Sequence, residues 1–355
     1  MISRRIAVFT CTTVALAGLI ATPTALACAC GGLASPAGFD VSVAQEQAII
    51  SRINGEERIE LRLGLQSNSV DTGLVFPTPS PAEVSLGTAA TFEQIEVMTA
   101  PRTVVDNAWF DLPQSISVGA AATGAAAAPF TPQILSQVQL GPVQATTLRA
   151  EDATGLTGWL ATNNYHISDA VTALLPDYVD RGWYFVAVKI TGDAELSGDL
   201  DPIQLTFASD ELVYPMALSR AATDSQFVRL YVFDEHRARP AALSAPTHEL
   251  TAPNSTYWAG QAPTELAERG RFLTALNLAF PNPGIDIPGD LTMVQASDDS
   301  VVTPPDVHVR HIVRVGGIPA GWATILGLII AAILFGIIRG LVTRARDRRV
   351  YGEYR

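Results

Sequence analysis

The stretch RIELRLGLQ at residues 58–66 decides the fold of this chain. Its side chains alternate, with isoleucine or leucine at positions 59, 61, 63 and 65 and polar residues at 60, 62 and 66. Because successive side chains of a β-strand point to opposite faces, this pattern predicts a half-buried strand. Asn54-Gly55, just before it, is typical of a tight turn. The chain is therefore expected to build a sheet that includes this strand.

Outward from this strand, the spacing of apolar residues predicts further strands and helices. The predicted strands lie at 74–76, 134–148 (broken at Gly141-Pro142), 183–190, 203–207, 227–233 and 307–315. The predicted helices cover 43–50, 91–99, 151–162, 168–178 and 264–278, with Ser168 as an N-cap. Strands in this number around a few helices indicate an α+β fold that is rich in sheet.

Composition divides the chain into seven segments. We predict a signal peptide at 1–27, a β-rich part at 28–110, an Ala/Gly-rich loop or linker at 111–132, an α+β part at 133–240, an irregular region with a membrane-proximal strand at 241–317, a transmembrane helix at 318–338 and a basic cytoplasmic tail at 339–355. Residues 119–128 are nearly all alanine and glycine and offer no large side chain to bury, which favours a linker. An alanine-rich helix is the alternative there.

The N-terminus has the three parts of a signal peptide. Arg4 and Arg5 precede an apolar stretch at 6–20, and Ala25-Leu26-Ala27 matches a cleavage site. Cleavage there would make Cys28 the first residue of the mature protein. An uncleaved N-terminal anchor is the alternative, but the apolar stretch is short for one.

The C-terminus predicts a single membrane-spanning helix. Residues 318–338 carry no charge, and as a helix they would extend about 31 Å, close to the hydrocarbon thickness of a bilayer. Trp322 lies where interfacial aromatic residues occur, and five arginines follow between Arg339 and Arg349. The positive-inside rule then predicts a single-pass protein of the cell membrane, with the N-terminal domain outside and the C-terminus in the cytoplasm. A buried helix of a soluble protein is the alternative.

Charge and small residues bear on the partners of the chain. The formal net charge is −12, and the tail is basic, so the remainder is more acidic still. A surface of that sign repels phosphate backbones, which argues against nucleic acid as a partner.

The membrane helix has a smooth face, on which Ala323, Gly327 and Ala331 recur every four residues. This face predicts a homodimer through the helix. The abundance of alanine and glycine throughout the chain is the competing explanation.

Several stretches together resemble an exported bacterial family, domain-of-unknown-function family 2330. The resemblance covers most of residues 28–240 and rests on segments at 30–32, 75–80, 92–102, 138–147, 159–160, 182–189, 207–211, 213–215 and 235–237. Three of these read VFPTPS, GWYFVAVK and FASDE, at 75–80, 182–189 and 207–211. The layout of a signal peptide and an anchor is also similar to that family. The resemblance implies one evolutionary unit and brings no activity, ligand or catalytic residue.

Cys28 and Cys30 form the cysteine pair of the mature chain. Thiols outside the cytoplasm tend to be oxidised, so we predict a disulfide between these two residues or to a partner chain. A bridge between residues two apart closes a small ring, which makes a redox role conceivable. Packing thiols and lipidation of Cys28 are the alternatives, although Ala25 replaces the leucine that lipidation favours.

Asp234-Glu235-His236 is the densest acid–histidine cluster, at the end of a predicted strand. Three consecutive strand residues do not share a face, so a solvated strand end is favoured over a catalytic pair. The five histidines are scattered, and the sequence predicts neither a metal site nor a cofactor.

The favoured function is a membrane-anchored extracytoplasmic protein that acts as a binding, scaffold or cell-envelope module, with an envelope protein as partner. The alternative is an extracytoplasmic enzyme that uses Cys28 and Cys30 or the neighbourhood of Asp234 and His236. A cleft containing either pair would favour the enzyme. A broad exposed contact surface would favour the binding module.

Overall fold

The computed structural model describes residues 27–28, 31–34, 41–67, 71–110, 132–191, 197–199, 201–241 and 255–352. The predicted signal peptide up to residue 26 and the Ala/Gly-rich segment 111–131 lie outside the described residues. Both therefore stay predictions.

The strands, in chain order, are β1 Ala27–Cys28, β2 Gly31–Ala34, β3 Val41–Ile53, β4 Glu56–Ser67, β5 Asp71–Thr78, β6 Glu83–Leu86, β7 Thr103–Ala108, β8 Gln133–Leu140, β9 Val143–Arg149, β10 Tyr184–Thr191, β11 Ser197–Asp199, β12 Ile203–Ala208, β13 Leu212–Tyr214, β14 Gln226–Asp234, β15 Ala238–Pro240, β16 Ser255–Gln261, β17 Phe272–Phe280, β18 Leu291–Gln295, β19 Val307–Ile312, β20 Arg314–Val315 and β21 Ile318–Pro319. The α-helices are α1 Ala89–Thr99, α2 Ala153–Thr162, α3 Asp169–Thr172, α4 Leu175–Asp180, α5 Pro283–Asp286 and α6 Ala320–Gly352. Two 3₁₀ helices cover Ala217–Ala221 and Thr264–Arg269.

Two large sheets face each other. The first has the strand order β1-β2-β5-β10-β9-β8, and the second has the order β16-β17-β14-β3-β4-β12-β6, with β11 also paired to β4. Neighbouring strands in both sheets are antiparallel, except that β3 and β14 are parallel. A smaller sheet, β13-β18-β15, closes one end. The predicted α+β fold, rich in sheet and followed by a long apolar C-terminal helix, is confirmed.

The hairpin β3–β4 lies at the centre of the second sheet. Asn54 and Gly55 adopt φ values of 54° and 85°, the left-handed conformations that a two-residue hairpin turn requires. Ile59 and Leu61 point toward the first sheet, as the alternation predicts. Glu60 points the other way but is only 1% exposed, because helices cover that face as well. The strand is therefore buried on both faces rather than half-buried.

Apolar side chains form one core between the sheets and one on each outer face. The inner core takes residues such as Ile50 and Phe76 from facing strands. Helices α2, α3 and α4 cover the outer face of the first sheet, where Trp159 and Tyr178 are buried. Helix α1 and the 3₁₀ helix Thr264–Arg269 cover the outer face of the second sheet. The layers are thus helix, sheet, sheet and helix.

The predicted helix at 43–50 is wrong, because these residues belong to strand β3. Ala48 and Ile50 face the inner core, whereas Ile49 lies in the outer cluster under α1. A central strand buried on both faces shows no alternation of polar and apolar residues, so its apolar spacing resembled that of a short helix.

The predicted helix at 264–278 is also wrong. Its first turn is the 3₁₀ helix, which ends before Gly270, and β17 follows. Gly270 has a φ of 151°, and a Cβ atom there would lie 2.6 Å from the backbone nitrogen of Asp234, so a helix cannot continue through it. For 241–317 the sequence predicts an irregular region and a membrane-proximal strand. The irregular region supplies β16, β17 and β18 instead, whereas the membrane-proximal strand is present as β19.

The parts predicted at 28–110 and 133–240 share both sheets. Strand β5 pairs with β10 along its whole length, from Asp71 opposite Thr191 to Thr78 opposite Tyr184. Strand β4 pairs with β12 in the second sheet. The strands predicted at 134–148 and 183–190, and the Ser168 cap on α3, are confirmed.

Strands β7 and β19 form a separate parallel pair, which we call the membrane-proximal ribbon. It precedes β20, β21 and then α6. Within α6, Ala320–Ala345 is long and apolar enough to cross a membrane. These 26 residues would extend about 39 Å as a helix.

Candidate functional site

A cleft with a volume of about 620 Å³ lies at one end of the sandwich. Three connections meet there: the β3–β4 turn at Gly55, the segment after β5 at Pro79, and the turn 208–211 between β12 and β13. Their mutual position is fixed by hydrogen bonds from Ser209 N to Gly55 O (3.0 Å) and from the Ser80 hydroxyl to Ala208 O (2.7 Å).

One wall of the cleft is a guanidinium that lies over two adjoining aromatic rings, whose centroids are 5.2 Å apart. The Cζ atom of Arg181 lies 4.4 Å from the ring centroid of Tyr178 and 4.3 Å from that of Trp183. Cation–π contacts of this kind favour a fixed position for the guanidinium. Arg181 also forms an ion pair with Asp290, with 2.9 Å between Nη2 and Oδ2. The wall is thus positioned by α4, by the start of β10 and by the residue before β18.

Asp290 is the best-connected carboxylate of the cleft. Its Oδ1 atom accepts hydrogen bonds from the Tyr178 hydroxyl and from the backbone N–H groups of Met216 and Ala217, both at 3.0 Å. Burial, reinforced by the nearby negative charge of Asp290, holds the pKa of Tyr178 well above its usual range. The phenol therefore keeps its proton and remains a donor to Asp290.

The opposite rim is acidic and exposed. Asp210 and Glu211 both lie at the surface of the cleft. The Thr292 hydroxyl lies 3.4 Å from Glu211 Oε2, and Ser209 donates to the backbone oxygen of Glu211 at 2.5 Å. Three carboxylates thus line the cleft against the one guanidinium of Arg181. Its local charge is negative.

Glu57 lies buried close to this rim, where its Oε1 atom accepts a hydrogen bond from Val213 N at 2.9 Å. Burial raises the pKa of Glu57 well above its usual range, and the Val213 N–H and the charge of Arg52 offset only part of that effect. Through Val213 N, the Glu57 carboxyl group supports the turn that carries Asp210 and Glu211.

This arrangement suits recognition of hydrogen-bond donors and positive charge. Exposed carboxylates accept such groups, and the indole of Trp183 adds an apolar, polarizable surface. No group of three or more histidine, cysteine, aspartate or glutamate side chains that could hold a metal ion occurs among the described residues.

The residues singled out by sequence lie elsewhere. Cys30 is outside the described residues, and of Cys28 only the backbone pairing with Gly31 is described, so the disulfide stays a prediction. The structure pairs His236 with Asp299, at 2.8 Å between Nδ1 and Oδ2, whereas Asp234 accepts from the backbone N–H of Glu235. Asp234 and His236 are therefore not brought together as a catalytic pair. The homodimer through Ala323, Gly327 and Ala331 also stays a prediction.

Sequence reasoning did not predict the cleft, although the family resemblance contained one indication of it. The stretches at 75–80, 182–189 and 207–211 carried the family resemblance, and each contributes lining residues: Pro79, Trp183 and Ser209 to Glu211. Segments that lie far apart in sequence and meet at one cleft identify it as the candidate site. Arg181 and Asp290 carried no signal of their own in the sequence.

The sequence model of a bacterial family, DUF2330, described as an uncharacterized protein conserved in bacteria, matches residues 24–294. No curated protein matches the sequence. A mutated baculovirus P35 after caspase cleavage is similar in backbone arrangement, with a TM-score of 0.39 and 10% identity over 71% of this chain and 100% of that chain. Baculovirus P35 itself has a TM-score of 0.35 and 10% identity, over 73% of this chain and 98% of that chain. The P35 structure with caspase-8 has a TM-score of 0.34 and 8% identity, over 73% of this chain and 96% of that chain.

Proposed function

The chain belongs to the bacterial DUF2330 family, and from that premise we propose that it is a membrane-anchored binding protein whose cleft takes a ligand with cationic groups. The proposal places the sandwich on the extracytoplasmic side of the cell membrane and the arginine-rich end of α6 in the cytoplasm. The cleft is then open to ligands of the cell envelope.

The anchor is supported by α6 and the charges that flank it. None of the most apolar stretch of this helix is buried. Arg339 and Arg344 begin the basic cluster at its C-terminal end, and such clusters favour the cytoplasmic side.

The observation that carries the ligand class is the uneven charge of the cleft. Arg181 is already compensated by Asp290, which leaves Asp210 and Glu211 exposed on the opposite rim. A ligand that brings a guanidinium or ammonium group would neutralise this rim and could pack its apolar stem against Trp183. Hydrogen bonds to a charged group contribute roughly 1.5–3 kcal/mol each, about tenfold or more in affinity.

The test uses a membrane-impermeant di-arginine peptide that carries a photoreactive group and a dye. On intact, wall-stripped cells it should label the full-length chain. A variant with Asp210→Asn and Glu211→Gln should lose most of that labelling. Glu93→Gln is the matched control, because Glu93 is an exposed carboxylate on α1, across the sandwich, and its removal should leave labelling unchanged.

The two parts of the proposal fail in different ways. Labelling that requires permeabilised cells would place the sandwich on the wrong side of the membrane. Labelling that is as strong in the double variant as in the Glu93→Gln control would contradict a cationic ligand in the cleft. Equal labelling by a di-glutamate peptide and by the di-arginine peptide would contradict it as well.

A further inference from the structure

The loop at Trp109 and Phe110 is tied to the first turn of the membrane helix. Gly321 N donates to Trp109 O at 2.8 Å, and Ala320 N donates to Val313 O at 2.8 Å. Arg310 on β19 donates to Phe110 O at 2.7 Å from the other side. Hydrogen bonds from the start of α6 and from β19 thus fix the height of this loop relative to α6.

Side-chain packing fixes the same position. The Phe110 ring meets the Trp322 ring edge to face, with centroids 5.4 Å apart and planes at 88°. The ring fits only because residue 321 is glycine: a Cβ atom there would collide with it. Contact between an aromatic ring and a glycine backbone needs a close approach, so the loop cannot slide along the helix without losing this packing.

These aromatic side chains are also exposed. Trp109 is 55% exposed, Phe110 38% and Trp322 53%. The other exposed Phe and Trp side chains in the described part of the chain are Phe335, inside the apolar span of α6, and Phe227, on β14. Exposed aromatic rings are therefore concentrated at the level where α6 begins.

We infer that Trp109 and Phe110 lie in the headgroup layer of the bilayer beside Trp322 and form a second contact between the sandwich and the lipid surface. Tryptophan is enriched at this depth because its ring is apolar and its N–H group reaches water. The inference rests on the membrane anchorage in the proposed function: if α6 spans the bilayer from Ala320, the backbone of Trp109 has the same depth as the helix start.

This contact restrains how the sandwich sits on the membrane. A single helix joined through a flexible stem would let the domain tilt freely. A second contact, made by a loop from residues far away in sequence, instead limits rotation of the ribbon about the helix start. The cleft would then have a preferred direction relative to the lipid surface.

The experiment uses the full-length chain in lipid nanodiscs, with 5-fluorotryptophan in place of its five tryptophans. Each ¹⁹F resonance is assigned by a Trp→Phe substitution. About one tenth of the lipids carry a nitroxide close to the headgroup, the depth at which interfacial tryptophans occur. The Trp109 and Trp322 resonances should be lost by paramagnetic broadening. Those of Trp159 and Trp183, in and beside the helix layer of the first sheet, should persist.

Two variants separate position from fold. Gly321→Val should push Phe110 and its neighbour away from the helix, so that the Trp109 resonance persists while the Trp322 resonance is still lost. Gly336→Val is the control, because nothing lies within 4 Å of a Cβ atom at that position, and both resonances should be lost as in the unsubstituted chain.

Loss of the Trp322 resonance with persistence of the Trp109 resonance in the unsubstituted chain would overturn the inference and leave the anchor intact. Persistence of both would show that the start of α6 is not at the lipid surface, which overturns the anchor and the inference with it. Loss of both resonances in the unsubstituted chain, with persistence of the Trp109 resonance alone in the Gly321→Val variant, supports the second contact.

Discussion

The two outer faces of the sandwich are both covered by helices, but the contacts under those helices differ in kind. On the first sheet the contacts are aromatic: Trp159 stacks on Tyr165 with centroids 5.9 Å apart, and Tyr178 packs against Phe185 at 6.3 Å. An ion pair lies at the rim of that face, where Arg181 meets Asp290 beside the cleft.

On the second sheet, charge lies beneath the helices. Glu60 is 1% exposed and pairs with Arg269 of the 3₁₀ helix, whose side chain is 11% exposed. Nearby, the Glu96 carboxylate on α1 accepts from Gln47 at 2.5 Å and lies 3.5 Å from Arg62. Here the covering elements come from segments that lie far apart in sequence. On both faces an ion pair joins segments that lie far apart in sequence, but on the second sheet the pair lies beneath the covering elements, whereas on the first it lies at the rim beside the cleft.

The largest expected effect is a loss of stability on removal of the buried ion pair of the second face. Arg269→Ala leaves the Glu60 carboxylate buried without its cation, which costs about 3–5 kcal/mol in the free energy of unfolding. The measurement is the urea midpoint of the full-length chain in detergent. Arg271→Ala is the control, because Arg271 pairs with Glu235 at 2.5 Å on the surface, where both side chains are at least 60% exposed. Such pairs contribute about 0–1 kcal/mol.

Equal losses for Arg269→Ala and Arg271→Ala would contradict the comparison. They would mean that water reaches Glu60 readily once Arg269 is gone, so that buried charge does not hold the second face together.

Sequence reasoning succeeded at elements whose residue types agree with the structure they adopt, even where both faces are buried. The aromatic and β-branched residues of β10 favour a strand, and it was predicted although Val186 faces the inner core and Phe185 the outer cluster. Prediction failed at β3 and β17, where alanine, glutamine and leucine are common, because those residues favour a helix and burial of both faces removes the alternation that would indicate a strand.

The cleft is beyond local patterns for a different reason. Arg181 and Asp290 are 109 positions apart, and nothing in either segment indicates that they pair. Only the packing of α4 against the loop before β18 joins them. The family resemblance contained part of the answer, because three of its stretches line the cleft, but a resemblance without coordinates does not show that they meet.

An intermediate effect is expected on the first face. Tyr178→Phe removes one donor from Asp290, while the N–H groups of Met216 and Ala217 and the guanidinium of Arg181 remain. Since a hydrogen bond to a charged group contributes about 1.5–3 kcal/mol and other donors persist, the loss should be near the lower value, about 1.5 kcal/mol. Urea unfolding measures it.

Tyr165→Phe is the matched control for Tyr178→Phe. Tyr165 is a buried tyrosine of the same cluster, and the described part of the chain offers its hydroxyl no hydrogen-bond partner. Its substitution should leave the free energy of unfolding nearly unchanged. A loss for Tyr165→Phe as large as for Tyr178→Phe would show that phenol hydration, and not the bond to Asp290, sets the effect.

The smallest effect concerns Glu57, on the inner face of the strand that carries Glu60 on its outer face. Because its folded pKa is raised by burial, Glu57 keeps its proton at pH values where the unfolded chain, with a pKa of about 4.3, has lost it. Folding then requires proton uptake, so the contribution of Glu57 to stability is greatest below pH 4 and falls as the pH rises toward the folded pKa. Glu57→Gln keeps an oxygen acceptor for Val213 N and takes up no proton. It should therefore stabilise the chain at pH 8 and change little at pH 4, measured by urea unfolding at both values.

Glu60→Gln is the comparison on the outer face of the same strand. It should destabilise the chain at pH 8, because it weakens the pair with Arg269. Destabilisation by Glu57→Gln at pH 8 would instead mean that Glu57 is ionised in the folded chain and held by Arg52, which would make the inner face of β4 depend on charge in the same way as its outer face.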